Sequence, residues 1–305
     1  MKKFQHLLGI DDLSADDIHA FLDRADYYAE ALKIGKWDHN LLRDKIILHL
    51  FFEDSTRTLT SFEMAAKRLG AQVINWNPET SSLSKGENFT DTIDTLSAMR
   101  PDAIVMRHAD YGAPKFVAAR AGVPVINGGD SWREHPTQAL LDALTIKHTV
   151  GEIAGLNVTI IGDIAHSRVA NSNMQLLTKL GAKVRVIAPD VLMPDRLSVD
   201  SVETFSSLDE GLPGSDIVMT IRLQKERMDT ALIESDAAYF NAFGLTLKAL
   251  DTHCPKAYVM DPGPLVRNVQ MEDSVAEDPA RSLILKQVSN GIPTRMAVLD
   301  MLVSG

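Results

Sequence analysis

The chain has 305 residues, 45% hydrophobic and 24% charged, an ordinary composition for a soluble globular protein. Its formal net charge of −10 argues against a general nucleic-acid binder or a membrane-surface protein. An anionic ligand would therefore have to be gripped by a local cluster of Arg and Lys. At roughly 100–200 residues per domain, two domains are expected. The single cysteine, Cys254, cannot form an internal disulfide, which fits a reducing compartment such as the cytoplasm. The start, Met1-Lys2-Lys3-Phe4, turns acidic at Asp11 and Asp12 and lacks the apolar core of a signal peptide. No apolar run approaches ~18 residues, so no membrane span is expected.

In chain order, short β-branched runs alternate with amphipathic stretches. Strands are predicted over Lys45–Phe52, Gln72–Trp76, Ala103–Arg107 and Val123–Asn127. A second set covers Asn157–Gly162, Lys183–Ala188, Ile217–Thr220 and Ala257–Met260. Near-continuous apolar runs of this kind suit parallel sheets covered on both faces. A helix is predicted over Thr58–Leu69, stopped by Gly70, and Phe89, Ile93 and Leu96 share one helix face. Pro136–Thr149 reads as a helix bridging two domains, and Pro293–Val303 as a final helix with Pro at its start. The expected fold class is α/β, with two parallel sheets flanked by helices. The expected domains are 1–134 with 290–305, and 135–289.

Several segments carry candidate chemistry. In Phe51-Phe52-Glu53-Asp54-Ser55-Thr56-Arg57-Thr58 an apolar strand runs into a helix through hydroxyls and one Arg. Free N–H groups at a helix start attract anions, and an Arg fork suits phosphate. The plain alternative is that Ser55 or Thr56 caps the helix. His135-Pro136-Thr137-Gln138 opens the bridging helix, with His and Gln on one face. A neutral His can donate to a developing oxyanion and a Gln can bind an amide. Arg107 ends a strand, where open parallel sheets bind ligands. Ser81-Ser82-Leu83-Ser84-Lys85-Gly86 reads as a polar loop. Arg168 and Arg222 each follow a strand, a pair suited to a ligand with two carboxylates.

Taken together, these motifs resemble the aspartate/ornithine carbamoyltransferase family. Ser55-Thr56-Arg57-Thr58 is similar to its carbamoyl-phosphate motif, and His135-Pro136-Thr137-Gln138-Ala139-Leu140-Leu141-Asp142 to its second motif. Lys85, Arg107, Arg168 and Arg222-Leu223-Gln224 follow in the same order, so the resemblance covers nearly the whole chain. Ornithine enzymes carry a His-Cys-Leu-Pro signature. The matching segment here is Met260-Asp261-Pro262-Gly263-Pro264, without Cys, which points to the aspartate branch.

The resemblance implies transfer of a carbamoyl group from carbamoyl phosphate to the amine of L-aspartate. The products are N-carbamoyl-L-aspartate and phosphate, in de novo pyrimidine biosynthesis. It implies that Ser55, Thr56, Arg57 and Thr58 hold the phosphate and that Arg107 reaches both phosphate and carbamoyl oxygen. His135 and Thr58 complete an oxyanion site. Gln138 and the carbonyls of Gly263 and Pro264 hold the carbamoyl NH2. Arg168 takes the α-carboxylate of aspartate, and Arg222 with Gln224 the β-carboxylate. Ser82 and Lys85 come from the neighbouring subunit of a homotrimer. Neither cofactor nor metal is needed; a regulatory chain or pathway enzyme is left open as a partner. Two residues depart from the pattern: Leu59 stands where Arg is frequent, and Asp261 where His is usual. If Asp261 faced the phosphate it would repel it, so its carboxylate is expected to turn away or find a partner. A different amine acceptor and a non-catalytic ligand-binding paralogue are the competing readings. A dinucleotide-dependent oxidoreductase is disfavoured, because Gly162-Asp163-Ile164-Ala165-His166 lacks the glycine fingerprint.

Overall fold

The computed structural model describes residues 4–227 and 233–304. The chain divides into two compact units. The first runs to Leu144 and resumes at Ser289; the second is Thr145–Val288.

In the first unit, helix α1 (Ala15–Ile34) is opened by a reciprocal cap between Ser14 and Asp17. There follow β1 (Ile46–Phe51), α2 (Thr56–Arg68), β2 (Gln72–Trp76), α3 (Phe89–Ala98), β3 (Ala103–His108), α4 (Ala113–Ala121) and β4 (Val125–Asp130). The four strands form a parallel sheet in the order β2-β1-β3-β4. Leu48, Leu50, Ile104 and Met106 pack with Ile93, Val117 and Val125 into its core. The register pairs Phe51 with Arg107, and the Phe52 N–H donates to the Arg107 carbonyl at 2.9 Å. That bond holds the turn after β1 beside the end of β3.

Helix α5 (Pro136–Val150) contains the division between the units. The second unit has β5 (Asn157–Gly162), α6 (Arg168–Lys179), β6 (Lys183–Ile187), β7 (Glu203–Phe205), α7 (Leu208–Gly211) and β8 (Ile217–Ile221). It continues through α8 (Asp236–Phe243), α9 (Leu247–His253), β9 (Tyr258–Met260) and α10 (Asp273–Ala276). Its parallel sheet has the order β7-β6-β5-β8-β9. Ile161, Val218, Val259 and the buried thiol of Cys254 lie in its core.

All eight predicted strands are present; Gln72–Trp76 and Asn157–Gly162 have the predicted ends, and the others shift. The strand predicted over Val123–Asn127 is Val125–Asp130, because the chain stays extended through Gly128 and Gly129. A Cβ on Gly128 would lie 3.2 Å from the Met106 carbonyl oxygen, so glycine at this position eases the close approach of β4 to β3. Strand β7 escaped prediction: it is a three-residue edge strand with no apolar run. The final helix, α11 (Ile284–Val303), starts nine residues before Pro293, which lies inside it rather than at its start. Pro293 has no N–H to donate to the Ser289 carbonyl four residues back. The division between the units falls at that same residue.

Gly162 ends β5 with φ at +140°, and a Cβ there would lie 2.0 Å from the Ile221 carbonyl oxygen. The backbone after β5 thus runs against the end of β8 in a way only glycine permits. Gly162→Ala is expected to lower stability by more than ~1 kcal/mol. Urea unfolding followed by tryptophan fluorescence measures this; an unchanged midpoint would mean that the close approach is not required.

Candidate active site

In the first unit the candidate residues converge on the start of α2. Ser55 occupies the N-cap in extended backbone, yet its hydroxyl makes no capping bond. It accepts instead from Arg107 Nη1 at 3.1 Å. The other side of the same guanidinium is taken by Glu53, whose Oε2 accepts from Arg107 Nε at 3.3 Å. The capping alternative for Ser55 is therefore not realised. The first turn of α2 also carries no acidic residue, so nothing within that turn offsets the attraction of its N–H groups for an anion. Thr56 and Arg57 in that turn are exposed, while Thr58 points inward. Thr58 Oγ1 lies 3.3 Å from Nε2 of the buried His135, the residue before Pro136 and α5.

One turn along α5, Gln138 Nε2 donates to Asp142 Oδ1 at 2.9 Å. The structure thus brings Ser55, Thr58, Arg107 and His135 together at one strand-to-helix rim, with Gln138 one turn beyond His135. It does not bring Ser82 or Lys85 there. Both lie in a single 3₁₀ turn, Ser82–Lys85, and both are exposed. Ser82 is bonded to Glu87, and within the described chain Lys85 makes no hydrogen bond or ion pair.

In the second unit, Gly162 and Ile221 are paired in register, so the turns after β5 and β8 are neighbours. Asp163, fully buried, ties them together. Its Oδ1 accepts from the His166 N–H at 3.1 Å and lies 2.8 Å from His166 Nδ1, and its Oδ2 accepts from the Gln224 N–H at 3.0 Å. Ser167 caps α6, accepting from the Ala170 N–H at 3.1 Å, and Arg168 is the buried first residue of that helix. Arg222 donates through Nη1 to the Leu223 carbonyl at 3.0 Å and to Glu226 Oε2 at 2.9 Å, and through Nη2 to Glu226 Oε1. Partial burial pushes the Glu226 carboxyl up, but the Arg222 hydrogen bonds and charge outweigh it and hold the group below its ordinary range. A protein carboxylate thus already occupies this fork. Gln224 Nε2 donates to the Arg222 carbonyl at 3.2 Å. The neighbouring cations are engaged elsewhere: Lys225 with Asp236 at 2.6 Å and Arg227 with the His166 carbonyl at 2.8 Å.

The segment after β9 answers the question raised by Asp261. The side chain is buried, not directed to solvent. Its Oδ2 accepts from Thr220 Oγ1 at 2.7 Å and Gln270 Nε2 at 2.9 Å, and its Oδ1 accepts from the Gly263 N–H at 2.7 Å. The Asp261 N–H donates to Gln287 Oε1 at 2.9 Å. Gly263 adopts φ of +71°, a left-handed conformation that favours glycine. Glu53, Asp163 and Glu226 were not identified as supports from sequence, since which way a carboxylate points depends on partners distant in the chain; Asp261 was expected to turn away or pair, and its partners are Thr220, Gln270 and the Gly263 N–H. Among the described residues no cluster of three or more His, Cys, Asp or Glu is placed to hold a metal ion.

Both parts of the chain match domains of one known family. Residues 5–148 match the carbamoyl-phosphate-binding domain of the aspartate/ornithine carbamoyltransferases, and residues 154–302 match the aspartate/ornithine-binding domain. The chain is 51% identical over 297 residues to the aspartate carbamoyltransferase catalytic subunit of Granulibacter bethesdensis, covering 97% of this chain and 94% of that protein. It superposes on Trypanosoma cruzi aspartate transcarbamoylase in complex with carbamoyl phosphate and aspartate. There the TM-score is 0.88 at 33% identity, over 99% of this chain and 97% of that one. The ornithine carbamoyltransferase of Pyrococcus furiosus gives a TM-score of 0.90 at 31% identity, over 99% and 97%.

Asp261→Ala leaves the donors on Thr220, Gln270 and Gly263 without this acceptor. The two side chains can turn to other partners, but the Gly263 N–H cannot. A loss of about 1–3 kcal/mol in urea unfolding is expected; no loss would show that the carboxylate does not brace this segment.

Proposed function

The chain belongs to the aspartate/ornithine carbamoyltransferase family, and on that premise we propose that it carbamoylates L-aspartate, as an aspartate carbamoyltransferase. The observation that carries this reading is the rim after β1 and β3, where Arg107 bonds Ser55 at the head of α2 while Thr58 meets His135. These groups suit a phosphate next to a carbonyl oxygen that gains charge. The acceptor is read from the second unit, where Arg168 and Arg222 follow paired strands and the Asp261–Pro264 segment has no cysteine.

In this reading Ser55, Thr56, Arg57 and Thr58 bind the phosphate with the first turn of α2. Arg107 bridges phosphate and carbamoyl oxygen, and its Glu53 bond fixes the plane of the guanidinium. His135 and Thr58 donate to the same carbonyl oxygen as it becomes an oxyanion. Gln138 and the carbonyls of Gly263 and Pro264 accept from the carbamoyl NH2. Arg168 binds the α-carboxylate of aspartate. Arg222, supported by Gln224, exchanges Glu226 for the β-carboxylate. The neutral amine attacks the carbonyl carbon; a C–N bond forms, the C–O bond to phosphate breaks, and the departing phosphate takes the amine proton. The protein supplies position and charge, and no side chain is alkylated or acylated. The product, N-carbamoyl-L-aspartate, places the reaction in pyrimidine biosynthesis.

We assign carbamoyl phosphate to the first unit and aspartate to the second. A homotrimer with shared sites is supported by the exposed, unengaged Lys85 and by β2, an edge strand with Ile74 exposed and Met64 of α2 exposed nearby in sequence. Ser82 and Lys85 would then serve a neighbouring subunit. The exposed aromatic pair Tyr111 and Trp132 (ring centres 6.0 Å apart) supports a further protein partner, a regulatory chain or pathway enzyme. A cytoplasmic location is supported by the single thiol, Cys254, which burial pushes up to about 11.

Arg57→Ala is expected to keep the fold and lose on the order of 100- to 1,000-fold in turnover. Near-normal turnover would remove Arg57 from the site. Sharing is tested by mixing inactive Lys85→Ala and Arg57→Ala chains under conditions that allow exchange. Some mixed sites then carry both intact residues, so activity should partly return, and confirmed mixed oligomers that stay inactive would refute the shared site. Asp261→His should alter kcat/KM for carbamoyl phosphate by less than about tenfold, under ~1.4 kcal/mol. A gain of about a hundredfold would mean that Asp261 opposes the substrate.

A further inference from the structure

Two buried ionisable residues of the first unit, Asp142 and Arg295, have no task in the mechanism. Gln138 and Asp142 stand one turn apart on α5, and the amide nitrogen of Gln138 donates to Asp142 Oδ1 at 2.9 Å. Asp142 is completely buried. Arg295 of α11, also buried, belongs to the same unit and is attracted to the Asp142 charge. Arg295 Nη1 donates to the Gly291 carbonyl at 3.2 Å, and its Nε has no hydrogen-bond partner among the described residues. Its guanidinium carbon lies 5.1 Å from the ring centre of Phe62 on α2. A Cβ on Gly291 would fall 2.6 Å from Arg295 Nη1, so this glycine leaves room for the folded-back side chain. Burial lowers the Arg295 pKa to about 10, which still leaves it cationic at neutral pH, with Asp142 acting in the opposite sense.

The chemistry of the pair fixes an orientation. An ionised carboxylate only accepts hydrogen bonds, so Gln138 has to turn its NH2 toward Asp142. The amide oxygen is then the end left for a ligand, and an amide oxygen accepts but never donates. A ligand group that donates is favoured there, and one that offers only a methyl leaves a desolvated acceptor unpaired. Carbamoyl phosphate ends in NH2; acetyl phosphate has the same shape and ends in CH3.

We propose that Asp142 is a positioning residue that locks Gln138 with its oxygen toward the ligand, and so makes the site select a carbamoyl over an acetyl group. The positive charge of Arg295 favours the carboxylate form of Asp142 that this requires. The proposal rests on reading Gln138 as the partner of the carbamoyl NH2.

The test compares equilibrium binding of carbamoyl phosphate, acetyl phosphate and inorganic phosphate to the natural protein, Gln138→Leu, Asp142→Asn and the double variant. Gln138→Leu should lower the carbamoyl-to-acetyl affinity ratio by roughly tenfold. Asp142→Asn should lower the same ratio several-fold, because an amide partner lets Gln138 face either way. Inorganic phosphate should bind within about twofold of normal, showing that the site is intact. In the double variant the two losses should not add. If Asp142→Asn proves too unstable, Asp142→Asn combined with Arg295→Met removes both buried charges and is measured in its place. A ratio that falls with Gln138→Leu but not with the Asp142 variant, or losses that add, overturns the proposal. A ratio unmoved by Gln138→Leu overturns the reading of Gln138 itself, and the proposal with it.

Discussion

Arg107 reaches Ser55 through one edge of its guanidinium because Glu53 holds another. The site depends on this arrangement, in which a carboxylate aims a cation without competing for the ligand. A chain with a net charge of −10 repels anions at long range, so its local cations have to be concentrated and pointed. Asp163 does related work in the second unit by joining the turns that bear Arg168 and Arg222. Glu226 fills the Arg222 fork, keeping it in shape while no other carboxylate is present. In the proposed reading these acids are as much a part of the anion site as the arginines.

Asp261 shows how such a residue is accommodated. A carboxylate about 8 Å from a bound phosphate would cost roughly 2 kcal/mol per pair of unit charges at an effective dielectric of ~20. Three donors, from Thr220, Gln270 and Gly263, draw it into the protein instead. The same bonds brace the segment whose carbonyls are assigned to the carbamoyl NH2. The fold alone could not have decided the substrate: the ornithine enzyme superposes as well, at a TM-score of 0.90, as the aspartate enzyme at 0.88. In the proposed reading, acceptor choice lies in the side chains after β8 and β9.

Much of this was legible in the sequence. The apolar runs of a parallel sheet are local signals, and so is an Arg placed just past a strand, which made Arg107, Arg168 and Arg222 visible. Ser55-Thr56-Arg57-Thr58 and His135-Pro136-Thr137-Gln138 were visible as motifs, but that Ser55 serves Arg107 and not the helix cap depends on a residue 52 positions away. Strand β7 was hidden because an edge strand needs no apolar run, and the first half of α11 because Pro293 reads as a start. The supports were the least legible. Asp261 bonds Thr220 across 41 positions, and nothing local at Asp163 reveals Gln224 across 61.

These groups are assigned the carbamoylation of aspartate. Purified protein incubated with ¹³C-carbamoyl phosphate and a panel of amino acids, with products followed by NMR, tests it most directly. The label should move into N-carbamoylaspartate with one phosphate released per transfer, and aspartate should be preferred over ornithine and other amines. Phosphate binding without any labelled product, or transfer favouring another amine, would contradict it.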